Sequence, residues 1–312
     1  MDVPRRGDVT RWSDSVTAPK CSTWEDATSS LIRKMEKSGS YTRATIRFYR
    51  YQCQIVGKRL ILQHGEDYCP RRVTKAHIVS FMESMRRDGL CVTTQRGYVM
   101  ALKKVCQHCN NRVFDGMVIG WSADTRQNVD WLDKNQAAEL LDAPMDSRED
   151  MVITLMLCMG LRRVEVIRLN VQDIGDGWIT VNGKGRLGGK LRTVPFHPRF
   201  VKVLDRWMKK RKDILGDASE DALLLYRSGR RVSRYSLNGS AIDQMVRTVG
   251  YRAGLNISCH TLRRTFGRLL WRAGVKTETI ARIYGHTSTI QTLRYIGVNM
   301  DDMTSAMKQL TF

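Results

Sequence analysis

From Ser22 to about Asn111 apolar residues return every three or four positions, in stretches broken at Ser38-Gly39-Ser40, Cys69-Pro70 and Asp88-Gly89. That period belongs to helices with one buried face, and the breaks are turn formers, so this part of the chain predicts a small helical bundle. Ser22 can cap the first helix, with Glu25 three residues on to complete a capping box. Between Arg112 and Asp130 the pattern lapses around Gly116, Gly120 and Ser122, which reads as a linker. Beyond it, helical patterns cover Asp133 to Leu141, Arg148 to Met159 and Val164 to Leu169. Two strands, Trp178 to Val181 and Leu191 to Val194, flank a glycine-rich stretch, and helices resume over Pro198 to Lys212, Leu237 to Ala253, His260 to Ala273 and Lys276 to Tyr284. Residues 1–20, polar and charged with Pro4 and Pro19, predict a loose arm whose Arg5, Arg6 and Arg11 can touch a polyanion. The expected organisation is an arm (1–20), a helical domain (21–115), a linker (116–130), a second domain (131–299) and a tail (300–312).

The 312 residues suffice for two domains with their own cores. Lys and Arg number 52 against 31 Asp and Glu, a net charge of +21, and a field of that sign draws in polyanions, nucleic acid first among them. Both halves share it: up to Thr125 there are 21 basic against 12 acidic residues, and after it 31 against 19. The eight cysteines follow no secreted-domain framework and no apolar leader precedes them, so they are expected to be reduced thiols in a cytoplasmic protein. Cys106 and Cys109 form a Cys-x-x-Cys pair without a second pair at zinc-finger spacing, and read as two small apolar side chains on one helix. The longest apolar run, Met151 to Leu161, is about half the ~20 residues needed to span a bilayer, so no membrane partner is expected.

Two helices carry charge at helical spacing. Arg43, Arg47 and Arg50 share one face of Tyr41 to Val56 while Ile46, Tyr49 and Cys53 share another, and Thr93 to Cys109 holds Arg96, Lys103 and Lys104 beside Val99, Leu102 and Val105. In each, one face suits a core and the other a phosphate backbone.

The second domain holds a scattered cation set followed by one tyrosine. Arg162 follows Gly160 at the end of an apolar helix and can project from the turn, with Glu165 placed to buttress a neighbouring cation; Arg163 is an equally charged rival. Lys184 lies between Gly183 and Gly185 in the hairpin connection, with Lys190 as an alternative. His260 and Arg263, three apart at a helix start, share a face near free N–H groups, while Arg264 is expected to point elsewhere. His286 follows Gly285 at a helix end, and Tyr295 stands nine residues on; Tyr284 falls on the apolar face with Ile280 and Ile283 and is expected in the core. Guanidinium forks and proton donors around a phenol are what attack on a phosphodiester requires, because charge grows on the attacking and leaving oxygens. No cluster of Asp and Glu at metal-ligand spacing accompanies them, so neither metal nor cofactor is expected.

The local sequences Gly160-Leu161-Arg162-Arg163-Val164-Glu165, His260-Thr261-Leu262-Arg263 and Gly285-His286 with Tyr295 following resemble the tyrosine recombinase (phage integrase) family in order and spacing. The resemblance spans about Ser22 to Gln309 and is weakest in the first domain. It implies a mainly α, two-domain protein that clamps duplex DNA: a helical-bundle core-binding domain and an α+β catalytic domain with a small antiparallel sheet. It selects Arg162 over Arg163, aligns Lys184 with the family's general acid, and makes Tyr295 the nucleophile of a 3′-phosphotyrosyl intermediate within the set Arg162, Lys184, His260, Arg263, His286 and Tyr295. The implied activity is site-specific recombination (integration, excision or resolution) by a homotetramer on DNA, with accessory DNA-bending or directionality factors. Met303, Met307 and Leu310 give the tail an amphipathic form suited to exchange between protomers. Two other readings remain open: relaxation of DNA in the manner of a type IB topoisomerase, and a non-catalytic DNA-binding protein of the same fold.

Overall fold

The computed structural model describes residues 23–121, 130–183, 191–237, 239–297 and 300–308. The chain divides into two compact units, 1–125 and 126–312.

The first unit is built from α1 (Trp24–Lys37), α2 (Arg43–His64), α3 (Lys75–Arg87) and α4 (Val92–His108), with a single 3-10 turn at Pro70–Arg72. Ser22 lies outside the described residues. The α1 cap is Thr23, whose hydroxyl accepts the Asp26 N–H at 3.1 Å, and Thr42 caps α2 in the same way. The inward faces carry Ala27, Leu31, Val56, Leu60, Phe81, Leu102 and Val105 into one core, and the Trp24 indole donates to the Cys53 carbonyl at 2.9 Å, tying α1 to α2. Cys106 is buried within α4, but Cys109 is the residue after its end rather than a second helical position. Met117, Ile119 and Trp121, expected in the linker, pack against this core. Arg43, Arg47, Arg96 and Lys103 are exposed. Arg50 pairs with Glu36 at 3.1 Å, the Arg96 guanidinium stands over Trp121, and Lys104 donates to the Tyr41 hydroxyl at 2.9 Å.

The second unit begins with α5 (Lys134–Asp142), capped by Asp133, and α6 (Ser147–Ile153), which widens into a π-helical turn over Thr154–Cys158 before Gly160. Gly160 has φ +65°, a left-handed conformation that ends the helix, and a Cβ there would collide with the Phe266 ring. Then come α7 (Arg163–Arg168) and the antiparallel hairpin of β1 (Trp178–Asn182) and β2 (Leu191–Pro195), registered Ile179 to Val194 and Val181 to Arg192. After α8 (Pro198–Leu215) lies a second antiparallel hairpin, β3 (Leu225–Ser228) with β4 (Arg231–Arg234), where one small sheet was expected. Its strands are four residues long and expose all but Leu225 or half-bury the rest, so no clean alternation marks them in the sequence. The chain continues as α9 (Ser240–Arg252), α10 (Cys259–Arg272), α11 (Thr277–Tyr284), α12 (Thr289–Ile296) and α13 (Met300–Lys308). Among the described residues no helix is long and apolar enough to cross a membrane.

Helix α10 runs through this unit. Its Thr265 hydroxyl accepts the Leu132 N–H at 2.8 Å and donates to the Thr261 carbonyl, while Leu262 enters the main core and Phe266 a satellite core with Ile280, Tyr284 and Ile296. Near its C-terminal end the fully buried Arg268 has its Cζ 4.5 Å from the Trp131 ring centre and 5.0 Å from that of Trp271, and pairs with Asp302 of α13 at 2.6 Å. The same chain's tail helix is thereby attached to α10, with Met303 and Met307 exposed; Leu310 lies outside the described residues.

Candidate active site

The site forms where four helix ends meet β2. Arg162 is the residue before α7, and its backbone N–H donates to the Glu165 carboxylate at 2.7 Å, closing the first turn. The Glu165 side chain is 3% exposed. It accepts Arg162 Nη1 at 2.8 Å and both Arg192 Nη atoms at 2.9 and 2.8 Å, with Arg263 Nη1 3.6 Å away. Burial alone would raise this carboxyl, but the Arg192 bonds and charge, the Arg263 charge and the Arg162 N–H outweigh it and hold it at about 2. This one carboxylate serves three guanidiniums.

The end of α11 supplies the rest of the cradle. Gly285, with φ +66°, takes the left-handed position that stops the helix, and a Cβ there would press on the Arg192 side chain. The carbonyls left unpaired at that terminus each accept an arginine: Ile283 O from Arg192 Nε at 2.7 Å, and Tyr284 O from Arg162 Nη1 at 3.0 Å and Arg263 Nη2 at 2.9 Å. A helix C-terminus carries partial negative charge, so cations are favoured there. One carboxylate and one helix end thus hold three full positive charges, leaving a surplus for an anion.

Ser258 caps α10 by accepting the Thr261 N–H at 3.1 Å, which fixes His260 and Arg263 in its first turns. His260 Nδ1 is 2.7 Å from the Tyr295 hydroxyl. Burial, then the charges of Arg264, Arg263 and Arg163, push this imidazole below its ordinary range, with Asp243 acting the other way. Tyr295 sits near the C-terminal end of α12, an element that no sequence pattern marked, and its ring lies edge-on to the His260, Tyr284 and His286 rings. His286 Nδ1 is bonded to the Thr292 hydroxyl at 2.9 Å and is pushed down to about 4 by burial and by Arg263, Arg162 and Arg192, so it is neutral at physiological pH.

Arg263 faces inward. Its side chain is 1% exposed, its Cζ is 4.1 Å from the Tyr284 ring centre, and its Nη atoms are bonded to the Gly160 and Tyr284 carbonyls. Its fork is turned inward, because carbonyls orphaned at two helix ends compete for it. Burial and Arg162 depress it only to about 10, so it remains charged. Arg162, with 27% of its side chain exposed, is the accessible fork at the mouth of a cleft of about 270 Å³ lined also by His260, Arg168 and Asn182.

Tyr284 is fully buried, its hydroxyl donating to the Arg263 carbonyl, as its place on the apolar face predicts. Arg163 leans away from Arg162 and pairs with Asp243 of α9. Arg264, expected to point elsewhere, has its Cζ 5.5 Å from the Tyr295 ring centre. Lys184 and Lys190 both lie outside the described residues. Arg192 stands outside the set named from sequence: only its register opposite Val181, next to the hairpin connection, places it with the other cations.

Residues 130–302 match the phage integrase family, and since this is more than half of the sequence, the chain belongs to that family. It is 25% identical over 279 residues to the tyrosine recombinase XerA of Pyrococcus furiosus, covering 86% of this chain and 88% of that one. It is 28% identical over 257 residues to the tyrosine recombinase XerD of Corynebacterium glutamicum, covering 75% and 81%. Its fold is similar to that of XerH site-specific recombinase bound to its palindromic difH substrate (TM-score 0.68, 19% identity, 90% of this chain and 84% of that one). The Tn1549 transposon integrase in complex with transposon right end DNA is also similar (TM-score 0.67, 16% identity, 91% and 99%).

Proposed function

We propose that this protein is a site-specific DNA recombinase that cuts and rejoins strands through a 3′-phosphotyrosyl intermediate on Tyr295, acting in the cytoplasm as a tetramer on duplex DNA with accessory DNA-bending or directionality factors. The observation that carries this reading is the Tyr295 hydroxyl 2.7 Å from His260 Nδ1, beside a cradle with surplus positive charge. Tyr295 Oη attacks phosphorus, the bond from phosphorus to the 5′ oxygen breaks, and the phenol proton passes to the neutral His260. The departing 5′ oxygen takes a proton from the lysine of the hairpin connection, Lys184 by family resemblance. Arg162 is the fork that meets the nonbridging oxygens, Arg263 and Arg192 add charge from beneath, and neutral His286 has Nε2 left for a hydrogen bond to the phosphate. The guanidiniums supply the charge compensation that other phosphoryl-transfer enzymes draw from magnesium, so cleavage proceeds in excess EDTA.

Basic helices α2 and α4 of the first unit, through Arg43, Arg47, Arg50, Arg96 and Lys103, hold the DNA backbone. The test is a nicked duplex carrying candidate sites, resolved on denaturing gels. Wild type gives a covalent protein–DNA band with or without EDTA, and Tyr295→Phe binds the duplex but gives none. An adduct surviving in the Phe variant moves the nucleophile elsewhere.

A further inference from the structure

Successive residues on an α-helix diverge by about 100°, so Arg263 and Arg264 should serve different surroundings. They converge instead. The Tyr295 ring centre is 5.8 Å from Arg263 Cζ and 5.5 Å from Arg264 Cζ, so two guanidiniums stand over the ring of the proposed nucleophile. Arg263 is committed to two carbonyls and to the Tyr284 ring. Arg264 Nε is buried and has no hydrogen-bond partner, and among the described residues no carboxylate forms an ion pair with Arg264.

We propose that Arg264 is a positioning residue: its guanidinium stacks on Tyr295 and holds the phenol oxygen against His260 Nδ1 before DNA arrives. A planar cation over an aromatic face is attracted by the ring quadrupole, and Arg stacks where Lys only points. The inference rests on the recombinase reading above and assigns Arg264 a part in that same site. Its charge has a second consequence at His260, which is faced by Arg263 and Arg264 on α10, Arg163 from α7, Asp243 from α9 and Tyr295 from α12. After burial, Arg264 is the strongest influence depressing this imidazole. Removing it raises the pH at which His260 loses its proton. At a given mildly acidic pH fewer molecules then hold the neutral imidazole that accepts the phenol proton.

The experiment compares wild type, Arg264→Gln and Arg264→Lys in two assays on the full chain. The first is single-turnover adduct formation on saturating nicked duplex from mildly acidic to mildly alkaline pH. The second is NMR titration of the His260 imidazole without DNA. The Gln variant should lose on the order of 3- to 30-fold in rate, the scale of one cation–ring contact, with its acid limb and its His260 midpoint both moved to higher pH. Lys should restore the midpoint and the limb but not the full rate, because it keeps the charge and loses the plane. A Gln variant with wild-type rate and midpoint overturns the proposal, as does a slower one whose midpoint and limb stay in place. If wild type forms no adduct, the recombinase reading fails; the titration, which needs no substrate, still decides whether Arg264 acts on His260.

Discussion

Arg263 and Arg268 lie five residues apart on α10, and both are buried against aromatic rings, yet their charge balance differs. Arg268 pairs with Asp302 at 2.6 Å, donates to the Gly297 carbonyl at 3.3 Å and stands over the Trp131 and Trp271 rings. Arg263 shares one carboxylate with Arg162 and Arg192, at 3.6 Å, and otherwise relies on carbonyl oxygens. A neutralised buried cation has nothing left to offer a ligand, whereas three guanidiniums around one Glu165 leave net positive charge beside a cleft. Burial of arginine therefore says little about its task. The count of nearby carboxylates separates the anchor from the proposed phosphate site.

The widest separation between the two should appear in stability. Arg268→Ala breaks the buried Arg268–Asp302 pair, and breaking a buried pair typically costs about 3–5 kcal/mol; urea unfolding followed by circular dichroism should show this, while cleavage per folded molecule is largely kept. A variant as stable as wild type would mean that the Arg268–Asp302 pair does not hold α13 in solution. Arg162→Ala should do the reverse, losing roughly 10²–10³ in single-turnover cleavage, the scale of one preorganised donor, with little change in unfolding. Arg162→Lys should recover only a fraction, since a point charge lacks the fork.

Glu165 sharpens the comparison through pH. Its carboxyl lies near 2 in the folded protein against an ordinary value of 4.5. A depressed pKa contributes stability that is fully present above the unfolded value and fades as pH falls through the folded one. The contribution is roughly 3 kcal/mol at neutral pH. The stability gap between wild type and Glu165→Gln should therefore be largest above pH 4.5 and shrink towards pH 2; a gap independent of pH would contradict the cradle drawn here. The smallest effect is expected on the first unit. Arg47→Ala should flatten the salt dependence of DNA binding by about one unit without altering site preference. Arg50→Ala should flatten it less, because Arg50 is already paired with Glu36.

Of the residues named from sequence, Arg162, His260, Arg263 and His286 come together because each sits near a helix end that local chemistry marks, Gly160 and Gly285 as stops and Ser258 as a cap, while Tyr295 reaches His260 from α12, which no sequence pattern marked. What stayed hidden depends on partners far along the chain. Arg192 joins through strand register and the Ile283 carbonyl, 91 residues away. The inward turn of Arg263 depends on the Gly160 carbonyl, 103 residues back. Arg264 was misplaced because helical spacing fixes where a Cα stands but not where a long side chain reaches once a tyrosine ring folds over it.

By itself the sequence determined the helical periods, the two basic units and the chain stops, because these follow from hydrophobic spacing, charge and φ preferences. The tertiary structure alone decided which arginines are neutralised. Whether a guanidinium keeps surplus charge depends on how many carboxylates and helix ends surround it in space: spacing marks Glu165 for Arg162, but nothing in the sequence marks Glu165 for Arg192, the Tyr284 carbonyl for Arg263 or Asp302 for Arg268.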